Sequence, residues 1–160
     1  MNPAQPARRL GELLRERGMI TQGQLEHALA QQRSTGEFLG TLLLKLGVVT
    51  EQQLLEALSE QFGIPCEHLE LEQVDWSLAK QFAPSALEGG KCFPIRATEH
   101  SITVAIINPL DALALSAMEK AAGMRAVKPV LVPERDLLAV QKEHTRQTLQ
   151  LLQQRLTKPT

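Results

Sequence analysis

The chain of 160 residues is 43% hydrophobic, and its 17 basic and 18 acidic side chains leave a formal net charge of −1. This length and composition suit one compact domain or two small subdomains, and the balanced charge excludes a broad basic surface for duplex DNA or an anionic membrane. With one Trp and no Tyr, the chain has few aromatic rings on which single-stranded nucleic acid could stack. The sequence has no signal-peptide core and no apolar run long enough to span a membrane, so it predicts a cytoplasmic protein.

One pattern occurs twice in residues 1–65, displaced by 29 residues, the separation of Leu39 from Leu10. Each copy predicts a short helix that ends at a glycine, then a helix that begins after a Thr, with a Gln three residues later to complete a capping box. Apolar residues at helical spacing give the second helix of each copy one hydrophobic face, which a Gln continues. We therefore expect a duplicated helix-pair bundle, preceded by a loose arm over residues 1–7. The repeated positions are Leu10, Gly11, Gly18, Thr21, Leu25, Leu29 and Gln32, and Leu39, Gly40, Gly47, Thr50, Leu54, Leu58 and Gln61.

Residues 66–144 follow a different pattern, which predicts an α+β subdomain. Two strands joined by a hairpin connection, a helix, a third strand and a last helix give the order β-β-α-β-α. The fold class is therefore α+β, a helical bundle followed by a small three-stranded sheet with helices. Residues 145–160 form either a continuation of the last helix or a flexible tail. The expected elements are strands 91–97, 101–107 and 125–132, helices 77–82, 111–122 and 133–144, and a loop at Pro84 and Gly89–Gly90.

No arrangement of reactive side chains predicts catalysis. The sequence lacks a Walker A motif, a GxSxG nucleophile motif and an HExxH metal motif. Cys66 and His68 are two possible metal ligands whose spacing is only weak support for a metal site. Cys66 and Cys92 show no CxxC spacing, so in a reducing compartment we expect two separate thiols. We therefore predict no enzyme activity, no catalytic residue, no metal and no cofactor.

The repeated Gln and Leu-Gly positions allow two interpretations. Gln32 and Gln61 each place an amide on an apolar helix face, where burial without a partner costs about 1–3 kcal/mol. The partner is either a neighbouring backbone carbonyl or water, or the base edge or phosphate oxygen of a ligand. The Leu-Gly pairs are either helix-packing positions or an apolar wall where a ligand approaches the backbone, with helix-start N–H groups suited to an anion. A ligand made of two equal halves would suit the duplication.

The doubled motif resembles the N-terminal domain of the type II secretion and type IV pilus assembly ATPases. The similar segments are RLGELLRERGMITQGQLEHALAQQ and LGTLLLKLGVVTEQQLLEALSEQFGIP, then FPI at residues 93–95 and Asn108-Pro109-Leu110-Asp111, so the likeness covers about residues 8–144. A subgroup of this family binds cyclic di-GMP, and the resemblance implies a cyclic di-GMP receptor domain. The ligand contacts that it implies are Arg9, Leu10, Gly11, Leu25, Leu29 and Gln32, then Leu39, Gly40, Leu54, Leu58 and Gln61, and also Asp111.

The two motifs, residues 9–32 and 38–61, differ at their first position, where Phe38 replaces Arg9. The planar guanidinium of Arg9 can donate two hydrogen bonds at once to a phosphate or a guanine. A phenyl ring cannot donate, but it can stack on a base. We therefore include Phe38 among the candidate ligand-binding residues and expect an asymmetric site.

The ATPase motifs of the similar family do not occur in this chain. We expect either a stand-alone receptor, which Met1 and the tail favour, or a domain detached from a secretion or pilus ATPase. The alternative function is a nucleotide-independent interaction module that docks on an inner-membrane platform component of a secretion or pilus system. We expect a protein partner in such a system, no DNA binding and no membrane insertion.

Overall fold

The computed structural model describes residues 4–82, 87 and 91–158, with only the backbone described for residues 4–8 and 112. The chain folds into two compact units, Met1–Ile64 and Pro65–Thr160. The loop expected at Pro84 and Gly89–Gly90 lies outside the described residues, as does the start of the expected N-terminal arm.

Four helices form the described part of the first unit: α1 (Ala4–Glu16), α2 (Gln22–Thr35), α3 (Leu39–Lys45) and α4 (Glu51–Phe62). The expected loose arm is wrong from Ala4 onward, because α1 already begins there. Pro6 is tolerated at this position since it lies in the first helical turn, where a backbone N–H has no acceptor within the helix.

Both predicted capping boxes are confirmed. The hydroxyl of Thr21 accepts a hydrogen bond from the backbone N–H of Gln24 at 3.1 Å, and Oε1 of Gln24 accepts from the N–H of Thr21 at 2.8 Å. Thr50 and Gln53 repeat this exchange at 3.1 and 2.9 Å. Each box satisfies N–H groups that the start of α2 or α4 would leave unpaired, which fixes where the helix begins.

The four helices pack into one apolar core. Helix α1 contacts α2, α3 and α4, and α2 also contacts α3. Their leucine faces meet in the middle, as the helical spacing predicts. The buried apolar residues of this unit are Leu10, Leu14, Ile20, Leu25, Ala28, Leu39, Leu42, Leu43, Val49, Leu54, Leu55, Ala57 and Leu58.

A three-stranded sheet with helices forms the second unit, which confirms the predicted α+β class. Strand β2 lies between β1 and β3, antiparallel to β1 and parallel to β3. The described elements are a 3₁₀ turn at Leu71–Gln73, α5 (Trp76–Ala79), β1 (Cys92–Ala97), β2 (Ser101–Ile106), α6 (Ala112–Ala122), β3 (Ala126–Leu131) and α7 (Glu134–Thr157).

The sheet is covered on both faces. Phe93, Ala105 and Val130 lie in register across the three strands and belong to one buried cluster with residues of α7. On the opposite face, Sγ of Cys92 lies 3.8 Å from the carbonyl oxygen of Ala114, so α6 packs there. Burial on both faces explains why the strand segments are almost continuously apolar rather than alternating.

The last helix is longer than the minimum that the sequence predicts. Helix α7 runs without a break for 24 residues, and Pro133 is its N-cap rather than its first helical residue. Residues 145–157 therefore continue the helix, one of the two possibilities considered. Leu137 and Val140 are buried near its start, whereas Leu156 near its end is 85% exposed.

Candidate ligand-binding motifs

The two motifs start at different places in their helices. Leu39 and Gly40 open α3, whereas Leu10 and Gly11 lie well inside α1. Inside an α-helix each backbone N–H donates to the carbonyl four residues earlier. The expectation that Leu10 and Gly11 offer helix-start N–H groups to an anion is therefore wrong.

A leucine of the following helix fills the space beside each motif glycine. A Cβ at Gly11 would overlap the side chain of Leu25, and a Cβ at Gly40 would lie 2.9 Å from Cδ1 of Leu54 and 2.7 Å from Cε1 of Phe38. Such short contacts would force the helices or side chains to move. Helix packing therefore accounts for both glycines in this structure, and their contact with a ligand stays a prediction.

The side chain of Gln32 links the end of the first motif to the start of the second. Its Nε2 donates a hydrogen bond to the backbone carbonyl of Glu37 at 3.1 Å, one residue before Phe38. A neighbouring backbone carbonyl, one of the two partners considered, is thus the observed partner of Gln32. Gln61 takes the corresponding place in α4, where it is half-buried with its Oε1 out of contact with solvent.

The implied ligand contacts divide sharply by exposure. Arg9 is exposed, so its guanidinium is the motif group that a ligand can reach most easily. Leu29 is half-buried, although its repeat counterpart Leu58 is only 1% exposed, so the two motifs also differ beyond Arg9 and Phe38. The half-buried residues are Leu29, Gln32, Phe38 and Gln61, and the buried ones are Leu10, Gly11, Leu25, Leu39, Gly40, Leu54 and Leu58.

Asp111 belongs to the second unit, where it caps α6. Its Oδ1 accepts a hydrogen bond from the backbone N–H of Ala114 at 3.1 Å, and its Oδ2 lies 3.5 Å from Nζ of Lys91. The carboxylate thus already has a structural role at the start of a helix. Its contact with a guanine edge stays a prediction.

The described residues hold neither a metal-binding cluster nor a membrane span. No three His, Cys, Asp or Glu side chains among them are grouped to bind a metal ion. Nδ1 of His68 instead lies 3.5 Å from the carboxylate of Asp136, which also accepts a hydrogen bond from the backbone N–H of Leu69 at 3.0 Å. Within the same residues, no helix combines the length and hydrophobicity needed to cross a bilayer.

Sequence reasoning missed a groove in the second unit. It has a volume of about 900 Å³ and lies between α5, Phe93 and one face of α7. The Phe93 ring centroid lies 6.4 Å from that of Trp76 and 5.3 Å from that of His144. Burial lowers the pKa of His144 because it disfavours the charged imidazolium. The single Trp and the leucines near the C-terminus are the sequence signals that point to this region.

Comparison with known proteins identifies the class of domain. The MshEN domain matches residues 62–151, from the last residue of α4 through the second unit as far as Leu151. A solved structure of MshE with cdg, that is, with cyclic di-GMP, has a TM-score of 0.74 and 29% sequence identity. That match covers 86% of this chain and 97% of the MshE chain.

Two crystal forms of the N-terminal domain of XpsE, a type II secretion ATPase, share the fold. Their TM-scores are 0.58 and 0.51, at 20% and 21% identity, and they cover 82% and 81% of this chain and 90% and 89% of theirs. No curated protein matches the sequence. The matches place the chain with the N-terminal domains of the secretion and pilus ATPases. The chain belongs to the MshEN domain family.

Proposed function

We propose that this chain is a cyclic di-GMP receptor domain that binds the dinucleotide across its two motifs. The observation that carries this proposal is the similarity to MshE, whose structure contains cyclic di-GMP and whose chain is matched over 97% of its length. The duplication gives independent support, because a ligand with two guanines and two phosphates suits two related helix pairs. The domain acts by binding a second messenger rather than by catalysis.

The reachable motif side chains suit such a ligand in different ways. Arg9 is an exposed guanidinium, which can donate two hydrogen bonds to a phosphate or to a guanine edge. Phe38 is half-buried at the equivalent position and offers a ring that can stack on a base. Gln32 and Gln61 are half-buried amides at the ends of the two motifs, and Nε2 of Gln32 is already bonded to the Glu37 carbonyl. One half of the ligand is therefore held by a cation and the other by an aromatic ring.

The buried motif residues act as the scaffold of this site. Gly11 and Gly40 allow α1 and α3 to approach Leu25 and Leu54, which sets the separation of the helices in each pair. A ligand that contacts both pairs binds the folded unit and not the unfolded chain, so it raises the stability of that unit by mass action. This gives a measure of binding that does not depend on any partner.

Calorimetric titration with cyclic di-GMP tests the proposal directly. We expect binding in the micromolar range or tighter, with a rise in melting temperature, and no response to GTP or cyclic AMP. Arg9→Ala should weaken binding strongly. Arg15→Ala is the matched control, because Arg15 is an exposed arginine on the same helix that is not among the implied ligand contacts. The guanidinium of Arg15 donates instead to Oε1 of Gln22 at 2.7 Å. A flat cyclic di-GMP titration with a folded chain would contradict the proposal.

We also propose that the domain lies in the cytoplasm and works there with a protein partner that belongs to a secretion or pilus system. The family and the XpsE fold support this setting. A ligand shifts a partner's behaviour only if the two states of the domain bind that ligand with different affinity. Contact of one dinucleotide with both helix pairs would provide that difference.

A further inference from the structure

The groove of the second unit is an apolar channel with a long helix along one side. Trp76, Phe82 and Phe93 line it opposite α7, and Leu151 and Leu152 of α7 line the other side. These two leucines are 47% and 50% exposed, which is unusual for large apolar side chains beside other apolar groups. Helix α7 borders the groove from Gln141 to Arg155, a length of about 21 Å at 1.5 Å per residue.

The charged groups of the groove favour a negatively charged occupant. Lys80 and Arg155 line it, and no described lining residue is acidic. Neither cation forms an ion pair with a described carboxylate.

We propose that this groove binds an amphipathic helix of a partner protein, with acidic residues beside its apolar stripe. The apolar floor would receive the stripe, and Lys80 and Arg155 would face the acidic residues. A groove bordered by about four turns of α7 is long enough for helix-in-groove recognition. The site lies wholly in the second unit, and it does not depend on cyclic di-GMP binding.

A second copy of this chain fits the groove less well than an acidic partner. The exposed leucines of α7 resemble an amphipathic helix, but residues 145–160 contain no Asp or Glu and carry Arg146, Arg155 and Lys158. Placing this segment on a groove lined by Lys80 and Arg155 would oppose like charges. Charge therefore selects an acidic helix over self-association.

Fluorescence provides a direct test, because Trp76 is the only Trp of a chain without Tyr and it lines the groove. The probes are two 15-residue amphipathic peptides with the same leucine stripe, one carrying Glu and the other Lys at the remaining positions. Trp76 emission and the anisotropy of the labelled peptide are measured on the whole chain. We expect the acidic peptide to bind at least about tenfold more tightly than the basic one.

Matched variants distinguish peptide binding in this groove from nonspecific binding elsewhere on the surface. Lys80→Glu with Arg155→Glu should reverse the peptide preference, whereas Lys158→Glu, outside the groove, should not. Leu152→Ser should weaken binding about tenfold, and Leu156→Ser, on the same helix but outside the lining, should leave it unchanged.

Three outcomes would overturn the proposal. The first is equal binding of both peptides, or no response of Trp76 to the acidic one. The second is a Leu152-dependent dimer in light scattering, which would assign the face to a second copy. The third is a Trp76 response to decanoate without any response to peptide, which would assign the groove to a small anionic amphiphile. Since cyclic di-GMP is absent from these titrations, failure here leaves the receptor function untouched.

Discussion

The side-chain amide of Gln32 donates to the backbone carbonyl of Glu37 at 3.1 Å. This hydrogen bond joins the end of α2 to the segment that enters the second motif. Gln32, which the family resemblance implies as a ligand contact, is therefore also part of the connection between the two helix pairs. Substitutions at this position act on stability as well as on binding, and the two effects must be measured separately.

Gln32→Ala should lower the free energy of unfolding by about 1 kcal/mol, because Glu37 loses its donor and the half-buried amide is removed. Urea unfolding measures the change. Gln31→Ala is the matched control, since Gln31 is the adjacent half-buried glutamine with no such side-chain bond in the described structure. Equal effects of the two substitutions would contradict the role given to Gln32.

Gly11→Ala and Gly40→Ala should each destabilise the chain by about 1–3 kcal/mol, because the new methyl group would press on Leu25 or on Leu54 and Phe38. Thermal unfolding with and without these substitutions provides the test. Gly23→Ala should instead be neutral or stabilising, since Gly23 lies in α2 with only Thr21 Oγ1 at 4.0 Å from a Cβ. If Gly11→Ala behaved like Gly23→Ala, the packing account of the motif glycines would fail.

The chain should lose stability as pH falls below about 6.5, in part through His144. Burial lowers the pKa of His144 from its ordinary value of 6.5, so the unfolded chain takes up a proton that the folded chain resists. The loss begins near the ordinary pKa and levels off below the lowered one. His144→Gln should flatten the dependence of unfolding free energy between pH 7.5 and pH 5, and His100→Gln, in the exposed hairpin turn, should not.

Cys92 should resist alkylation in the folded chain. Burial, and secondarily the nearby charge of Asp111, raise the pKa of its thiol to about 11, so about one molecule in a thousand is thiolate at pH 8. Mass spectrometry of iodoacetamide-treated Cys66→Ser protein would follow Cys92 alone. Rapid labelling under native conditions, at the rate seen in denaturant, would show that the thiol is not protected.

Local signals in the sequence predicted local structure well. The Thr-x-x-Gln patterns gave both capping boxes because the interacting groups lie three residues apart. Strand positions were also predictable, since their apolar runs are short and bounded by turn residues. The start of α1 was missed because proline near a terminus suggests a loose segment, although the first helical turn accepts it.

Long-range relationships could not be obtained from the same signals. Spacing alone does not say that Leu25 fills the space beside Gly11, so a packing position and a ligand position look alike. The groove combines Trp76, Phe93 and Leu152, which only the fold brings together. The difference between Leu29 and its counterpart Leu58 likewise depends on burial rather than on the repeat.

The number of cyclic di-GMP molecules bound per chain tests the central claim most directly. Because the two motifs are proposed to hold the two halves of one ligand, calorimetry should give one molecule per chain, with affinity lowered by Arg9→Ala and also by Phe38→Ala. Two independent molecules per chain, or loss of binding from only one of these substitutions, would contradict a shared site.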